Sequence, residues 1–515
     1  MSIHWPIIRR LLANPRKVAI VDDQRSYRGA DILVAALHTA AAIQSSSQSP
    51  HVGVLLPTGG AFPIAALACW ILGRAVVPLN YLLKPDELQF VIDDSEIDTI
   101  VTAGAMLDFL AHSSAGAIGG GASGGGAGVG GGGGWRPRGV NLVRMDQLDF
   151  RSVPDFRWPA TKSSDDLALL LYTSGTSGRP KGVALTHGNI EGNIRQVLDF
   201  VKFGDGEVML GVLPQFHSFG LTALTLLPLT AGLKAVYTAR FIPAKIVRLV
   251  REHRATVLFA IPSMYNALLH VKDAGPQDFA SLRFTVSGGE PLSQAVFDGW
   301  RERYKVTINE GYGLTETSPI TNWCRPDEWR RGSVGKPLPR LQQLIVDIET
   351  GRELPPGHDG EVRMAGPNVM RGYFKRPEET AAAFDSRGFF RTGDIGRFDT
   401  DGHLHITGRL KEMLIVAGEN VFPREIEEVL NAHPSVKEAG VIGKTDPMRG
   451  EQPLAFVELK ESPEGVKAAF NERELLTWCR ARLAGYKVPD EIRVIEALPR
   501  NPTGKVLRRE LKKLI

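Results

Sequence analysis

Hydrophobic residues recur along this chain in two alternating registers. Short apolar, often β-branched runs are followed by segments whose apolar positions return every three or four residues. Positions 52–56 read as a strand and 61–72 as a helix, with further strands at 75–79 and 99–102. The same kind of run returns at 167–172, 208–212, 256–260 and 283–287. Near-continuous apolar strands interleaved with helices predict a layered α/β fold with several largely buried sheets. The most apolar stretch, 61–79, contains Pro63, Arg74 and Pro78, so it reads as a buried helix followed by a strand and not as a membrane span.

Two places break this pattern. The first is 113–134, SSAGAIGGGASGGGAGVGGGGG. It offers too little apolar surface to offset its ordering entropy and predicts a flexible surface insert. It also lacks the strand-to-helix setting and polar neighbours of a phosphate-binding glycine loop. The second break lies near 408–411, beyond which the elements shorten. A helix at 423–432, strands at 436–442 and 453–459, a helix at 472–483 and a basic helix at 505–514 predict a small α+β unit. The division is therefore a large multi-sheet α/β N-terminal domain, 1–408, and a small C-terminal domain, 409–515.

Composition narrows the function classes. A chain of 515 residues exceeds a single core. Its 43% hydrophobic and 23% charged residues are ordinary for a soluble protein, and a net charge of +4 is too small to argue for nucleic acid. Cys69, Cys324 and Cys479 form no CxxC pair, which speaks against a metal knuckle or a disulfide framework and for a reducing compartment. The opening residues, MSIHWPIIRRLLANPRK, do not read as a signal peptide. A cytoplasmic location with no transmembrane segment is expected.

The strongest chemical signal is 172–182, YTSGTSGRPKG, directly after the apolar run 167–171. Thr173, Ser174, Thr176 and Ser177 bring hydroxyls. Gly175, Gly178 and Gly182 let backbone N–H groups turn toward a polyanion, and Lys181 adds positive charge. These are the makings of a triphosphate cradle. It is not a Walker loop, because Lys181 is followed by glycine and the spacing differs. The segment resembles the signature loop of the AMP-forming adenylating superfamily, which includes acyl-CoA synthetases, aryl-CoA ligases, adenylation domains of peptide synthetases and firefly-type luciferases. Further motifs of that superfamily follow in order across nearly the whole chain.

The resemblance assigns roles to these motifs. In 287–292, SGGEPL, the residues Gly288, Gly289 and Glu290 correspond to an adenine-pocket lining. In 309–317, NEGYGLTET, Tyr312 is suited to stack on a purine, with Gly313 leaving room for it. Thr315 is suited to a phosphate oxygen, and Glu316 to Mg²⁺ shared with the phosphates. Asp394, in 391–396, is suited to accept hydrogen bonds from both ribose hydroxyls. Arg409 resembles the arginine contacting ribose and phosphate, and Lys411 stands at the hinge position. Near the end, 500–506, RNPTGKV, supplies Lys505, the family lysine that reaches over the active site during adenylation. The implied catalytic set is Lys505, Thr176, Glu316 and His217.

The acid and the thiol are less sharply marked. The segment 214–220, PQFHSFG, resembles the border of an acyl pocket, with His217 gating it or touching the acyl carboxylate. The small apolar residues at 221–227, with Ser263, Met264 and Tyr265, suggest an apolar tail, and a medium- or long-chain fatty acid is favoured. No aspartate near His217 stands ready to bind an amino group, which argues against an amino acid substrate. The segment 418–426 is close to the glycine-rich stretch of acyl-CoA synthetases. There Gly418 is expected to lie beside a pantetheine chain after the small domain rotates about its hinge. The expected substrates are ATP, the acid and free CoA. An acyl carrier protein is the rival acceptor, and Lys437, Lys444 and Arg449 are basic residues that would serve either. A non-catalytic nucleotide-binding protein on the same fold is a third reading, disfavoured because every residue needed for catalysis is present.

Overall fold

The structure, a computed structural model, describes residues 2–116, 135–173, 179–446, 450–461, 469–500 and 506–515. Among these residues the strands form four sheets. The first has seven strands in the order Gly372–Tyr373, Lys181–Thr186, Leu167–Thr173, Ala75–Pro78, His51–Leu55, Thr99–Thr102 and Asn141–Arg144. Its pairings from Leu167–Thr173 onward are parallel. The second has nine, running from Lys336–Pro337 through Ile320–Trp323, Asn309–Gly313, Phe284–Ser287, Val257–Ala260, Val208–Gly211, Lys234–Tyr237 and Val18–Val21 to Ser26–Arg28. Every residue of His51–Leu55, Val257–Ala260 and Phe284–Ser287 is buried, as expected for strands covered on both faces.

The α/β class read from the sequence is the class observed. The helix Ala61–Ile71 is buried from Phe62 through Ile71 and is apolar all round, the signature of a helix enclosed by protein. Trp70 donates its indole N–H to the carbonyl of Ala168 (3.0 Å), tying this helix to the strand that leads into the Ser/Gly-rich loop. No helix among the described residues is long and apolar enough to cross a membrane.

A third sheet, of four antiparallel strands, joins Gln342–Val346, Gly360–Ala365, Phe390–Phe398 and Leu404–Arg409. One turn, Leu410–Glu412, then leads to the fourth sheet, built on the long antiparallel pair Val436–Asp446 and Gly450–Leu459. Glu491–Val494 lies parallel to the latter strand. Both strands of that pair run longer than the sequence pattern suggested, because their polar ends pair through the backbone alone. The expected helix at 472–483 stops at Arg480. The expected basic helix at 505–514 is replaced among the described residues by one helical turn, Arg508–Leu511, and a tighter turn, Lys512–Leu514. The helix Gly104–Gly116 takes in the first residues of the predicted insert, where Ser113, Ser114 and Ala115 can still extend a helix. The rest of the insert lies outside the described residues.

At the entrance to the chain, His4 and His187 are buried together with ring centroids 6.0 Å apart. Burial lowers both pKa values to about 4. Their unfolded-state values are higher, so the native state is favoured while both rings are neutral. That advantage is lost as pH falls from about 6.5 toward 4, by on the order of 3 kcal/mol for each ring. The thermal unfolding midpoint is therefore expected to drop between pH 6.5 and pH 5. His4→Phe should flatten the profile, and an unchanged slope in that variant would clear the pair of responsibility.

Candidate functional site

The segments 172–182, 214–220, 287–292 and 309–317 include or follow the carboxyl ends of strands in the two large sheets, the edge at which open α/β sheets bind ligands, whereas 391–396 lies within a strand of the four-stranded sheet. Thr173 and Lys181 are cross-strand partners in the antiparallel pair Leu167–Thr173 and Lys181–Thr186. The Ser/Gly-rich segment is thus the connection of a hairpin. Ser174, Gly175, Thr176, Ser177 and Gly178 lie outside the described residues. The Lys181 ammonium sits 5.4 Å from the centroid of the Tyr373 ring and forms an ion pair with Glu379.

Tyr373 leads onward to the next group, donating its hydroxyl to Glu316 Oε1 (3.1 Å). Enclosure in the cleft raises the Glu316 carboxyl above the ordinary range, with the Tyr373 hydrogen bond and the more distant Arg409 acting the other way. Thr315 Oγ1 lies 3.1 Å from Ser218 Oγ, linking the 309–317 motif to the segment carrying His217. Asp394 is only 4% exposed at its side chain. It accepts a hydrogen bond from the Tyr312 hydroxyl at 2.5 Å and pairs with Arg409 Nε at 2.9 Å. Asp394 and Arg409 face each other across the antiparallel strands Phe390–Phe398 and Leu404–Arg409.

Lys181, Glu316 and Asp394, brought from three parts of the chain, therefore lie in one neighbourhood, Tyr373 linking the first two and the Asp394 and Arg409 charges reaching Glu316. A carboxyl driven toward its neutral form by its surroundings suits a divalent cation, whose charge would hold it ionised. Among the described residues no three His, Cys, Asp or Glu side chains converge to hold a metal alone. A cation at Glu316 would have to share its other ligands with a bound anion such as a phosphate.

Gly313 also meets a constraint from the fold itself. A β-carbon there would lie 1.8 Å from the Pro319 carbonyl oxygen, so the residue is glycine because the returning chain passes against it. Gly288 is buried against the ring of Phe219, while Gly289, at φ +85°, and half-buried Glu290 continue the same turn. His217 has an accessible ring but is deeply surrounded by protein, as expected for a side chain lining a cleft. This desolvation lowers its pKa.

The segment around Lys411 and the small unit follow directly after Arg409. Lys411 is exposed, and desolvation followed by the nearby Arg409 charge lowers its pKa. Ala417 and Gly418, both at positive φ (52° and 88°), form the exposed tip of the hairpin Leu414–Val416 and Glu419–Val421. Lys505 lies outside the described residues. Its flanks are bridged, Arg500 to Val506. Arg500, although desolvated by burial, holds its proton more firmly through Glu438, and Glu290 of the large unit adds to that hold. Lys437 and Lys444, read from sequence as candidates for an acceptor's charges, already pair with Glu458 and Glu491. Arg449 lies outside the described residues.

Sequence reasoning missed Tyr373 and Glu379. Neither stands in a motif of its own. Their roles arise because the short strand Gly372–Tyr373 pairs with Lys181–Thr186, laying the ring beside Lys181.

Comparison with known proteins agrees with this geometry. The model of the AMP-binding enzyme family matches residues 9–374, and that of the AMP-binding enzyme C-terminal domain matches 425–505. The chain is 31% identical to a feruloyl-CoA synthase of Amycolatopsis sp, covering 99% of this chain and 98% of the relative. It is 32% identical to a long-chain-fatty-acid–CoA ligase of Bacillus subtilis (strain 168), covering 96% and 91%. Its structure resembles ATP-bound MatB from Rhodopseudomonas palustris with a TM-score of 0.86 at 30% identity, covering 100% of this chain and 99% of that one. With matches over both units and a cleft assembled from the family's motifs, this chain is a member of the AMP-binding enzyme family.

Proposed function

We propose that this enzyme joins a carboxylic acid to coenzyme A in two steps, through an acyl-adenylate. The observation that supports the reading is the cluster of Lys181, Tyr373, Glu316 and the Asp394–Tyr312–Arg409 group, gathered from separate parts of the chain. In the first step a carboxylate oxygen of the acid attacks the α-phosphorus of ATP. The bond to the bridging oxygen of the β-phosphate breaks, and pyrophosphate departs. Lys181, with the hydroxyls and backbone N–H groups of 173–178, holds the β- and γ-phosphates. Lys505 neutralises charge developing at the α-phosphate and the attacking carboxylate. Glu316 would hold Mg²⁺, which supplies charge neutralisation on the phosphates when bound. Asp394 and Arg409 position the ribose, and the turn at Gly288, Gly289 and Glu290 borders the adenine, with Tyr312 against the base.

In the second step the CoA thiolate attacks the acyl carbonyl. The carbon–oxygen bond to the phosphate breaks and AMP leaves. The small unit rotates about Lys411 between the steps, replacing Lys505 with the Gly418 hairpin, beside which the pantetheine chain would run.

For the acid, the buried apolar segment Phe219–Leu226 supports an alkyl tail, and a medium- or long-chain fatty acid is the first reading. A specific observation favours a second, an aryl acid bearing a polar substituent. The rings of Phe219, Phe259 and Trp323 form a continuous wall, with centroids 6.2 and 5.1 Å apart, the last pair at right angles. Among the described residues, Trp323 Nε1, Asn309 Oδ1 and Thr222 Oγ1 are buried without a hydrogen-bond partner. Orphaned polar atoms in a buried setting are costly unless something meets them. A hydroxyl on an aromatic substrate has the right chemistry.

Three outcomes test these readings. The acid should drive exchange of labelled pyrophosphate into ATP, and full turnover should yield AMP and a thioester; cleavage of ATP only to ADP would refute the mechanism. Lys505→Ala should slow adenylation by about 10²–10³-fold while leaving thioester formation from supplied acyl-adenylate comparatively intact. Equal loss in both half-reactions would rule out the domain rotation. Finally, kcat/KM should be measured for alkanoic acids of increasing length and for aryl acids with and without a ring hydroxyl. The second reading requires preference for the hydroxylated acid, reduced roughly tenfold in Trp323→Phe. A preference for alkanoic acids that is indifferent to this substitution returns the assignment to fatty acids.

A further inference from the structure

The ion pair between Lys181 and Glu379 is not required by any step of the proposed chemistry, yet it occupies the only cation contributed by the 172–182 loop other than Arg179. Glu379 lies in the first turn of the short helix Pro377–Ala382, immediately after the strand Gly372–Tyr373 that runs beside Lys181–Thr186. Its two carboxylate oxygens face different cations. Oε2 meets Lys181, and Oε1 lies 3.7 Å from Arg376 Nη1, one turn back. Lys181 in turn has a second resting surface, the face of Tyr373, whose hydroxyl holds Glu316. Both partners of the pair are partly accessible, at 21% for Lys181 and 35% for Glu379, so the pair is open to exchange with a ligand.

Resting on the reading of Thr173–Lys181 as a triphosphate cradle, we propose that Glu379 is a positioning residue that stands in for the terminal phosphates. It neutralises Lys181 in the free enzyme and passes it to the β- and γ-phosphates when ATP arrives. Arg376 then keeps the released carboxylate paired. The exchange has two consequences. ATP binding is weaker than an unpaired lysine would allow, because one attraction must be broken as another forms. Pyrophosphate leaves more readily, because Glu379 is ready to reclaim Lys181. AMP has no phosphate at that position, so its binding is blind to Glu379.

The test compares equilibrium binding of ATP, pyrophosphate and AMP to the full chain, by titration calorimetry without acid, for the unaltered protein and for Glu379→Gln, Glu379→Asp and Lys181→Gln. Glu379→Gln should tighten ATP and pyrophosphate roughly threefold to tenfold and leave AMP unmoved. Glu379→Asp, which withdraws the carboxylate by one methylene, should give a smaller change of the same sign. Lys181→Gln should weaken ATP and pyrophosphate. A merely structural role would weaken all three ligands or none, so tightening confined to the phosphate-bearing pair distinguishes the proposal. If Lys181→Gln weakens ATP while both Glu379 variants leave it unchanged or weaker, the exchange is wrong and the cradle stands. If Lys181→Gln leaves ATP binding unchanged, the cradle reading itself fails.

Discussion

The site is organised around one enclosed carboxylate. Asp394 takes the Tyr312 hydroxyl on one oxygen and the Arg409 guanidinium on the other. These three residues come from different strands of two sheets, and Arg409 is the last strand residue before the turn into the small unit. An ionised carboxylate so enclosed is costly unless both oxygens are satisfied, so the nine-stranded sheet, the four-stranded sheet and the hinge must meet in one arrangement. Removing Tyr312 or Arg409 would leave a buried charge short of a partner, and the defect would fall where the two units join.

The other charges of the cleft follow the same logic with looser bonds. Glu316 is held by a neutral hydroxyl and is pushed toward protonation. Lys181 is balanced by Glu379 at the rim. Asp394 is 4% exposed and has both oxygens engaged, whereas Glu379, at 35% exposed, shares Lys181 with the solvent-facing rim. In the proposed reaction a polyanionic substrate enters, reacts and leaves in pieces, and an exchangeable partner for Lys181 suits that sequence.

Much of the architecture was legible from the sequence. The apolar runs at 52–56, 99–102 and 256–260 became buried strands with ends moved by a residue or less, and 61–72 became an enclosed helix. Such segments are covered on both faces, so their side chains alone carry the signal. The polar halves of Val436–Asp446 and Gly450–Leu459 were not legible, because backbone pairing to a distant strand extends them. That Gly313 also admits the Pro319 carbonyl was not legible, because the contact is made by a chain reversal that local pattern does not encode.

What the sequence determined by itself was the inventory: the hydroxyl- and glycine-rich loop with Lys181, the acidic Glu316 and Asp394, the cations Arg409 and Lys505, and the order in which they occur. These are chemical identities, and each short motif states its own. What only the tertiary structure decided was partnership. That Tyr312 serves Asp394, that Tyr373 joins Lys181 to Glu316, and that Glu379 balances Lys181 depend on strands far apart in the chain lying side by side. Such contacts are set by sheet order and register, which belong to the packed core as a whole and to no single stretch of residues.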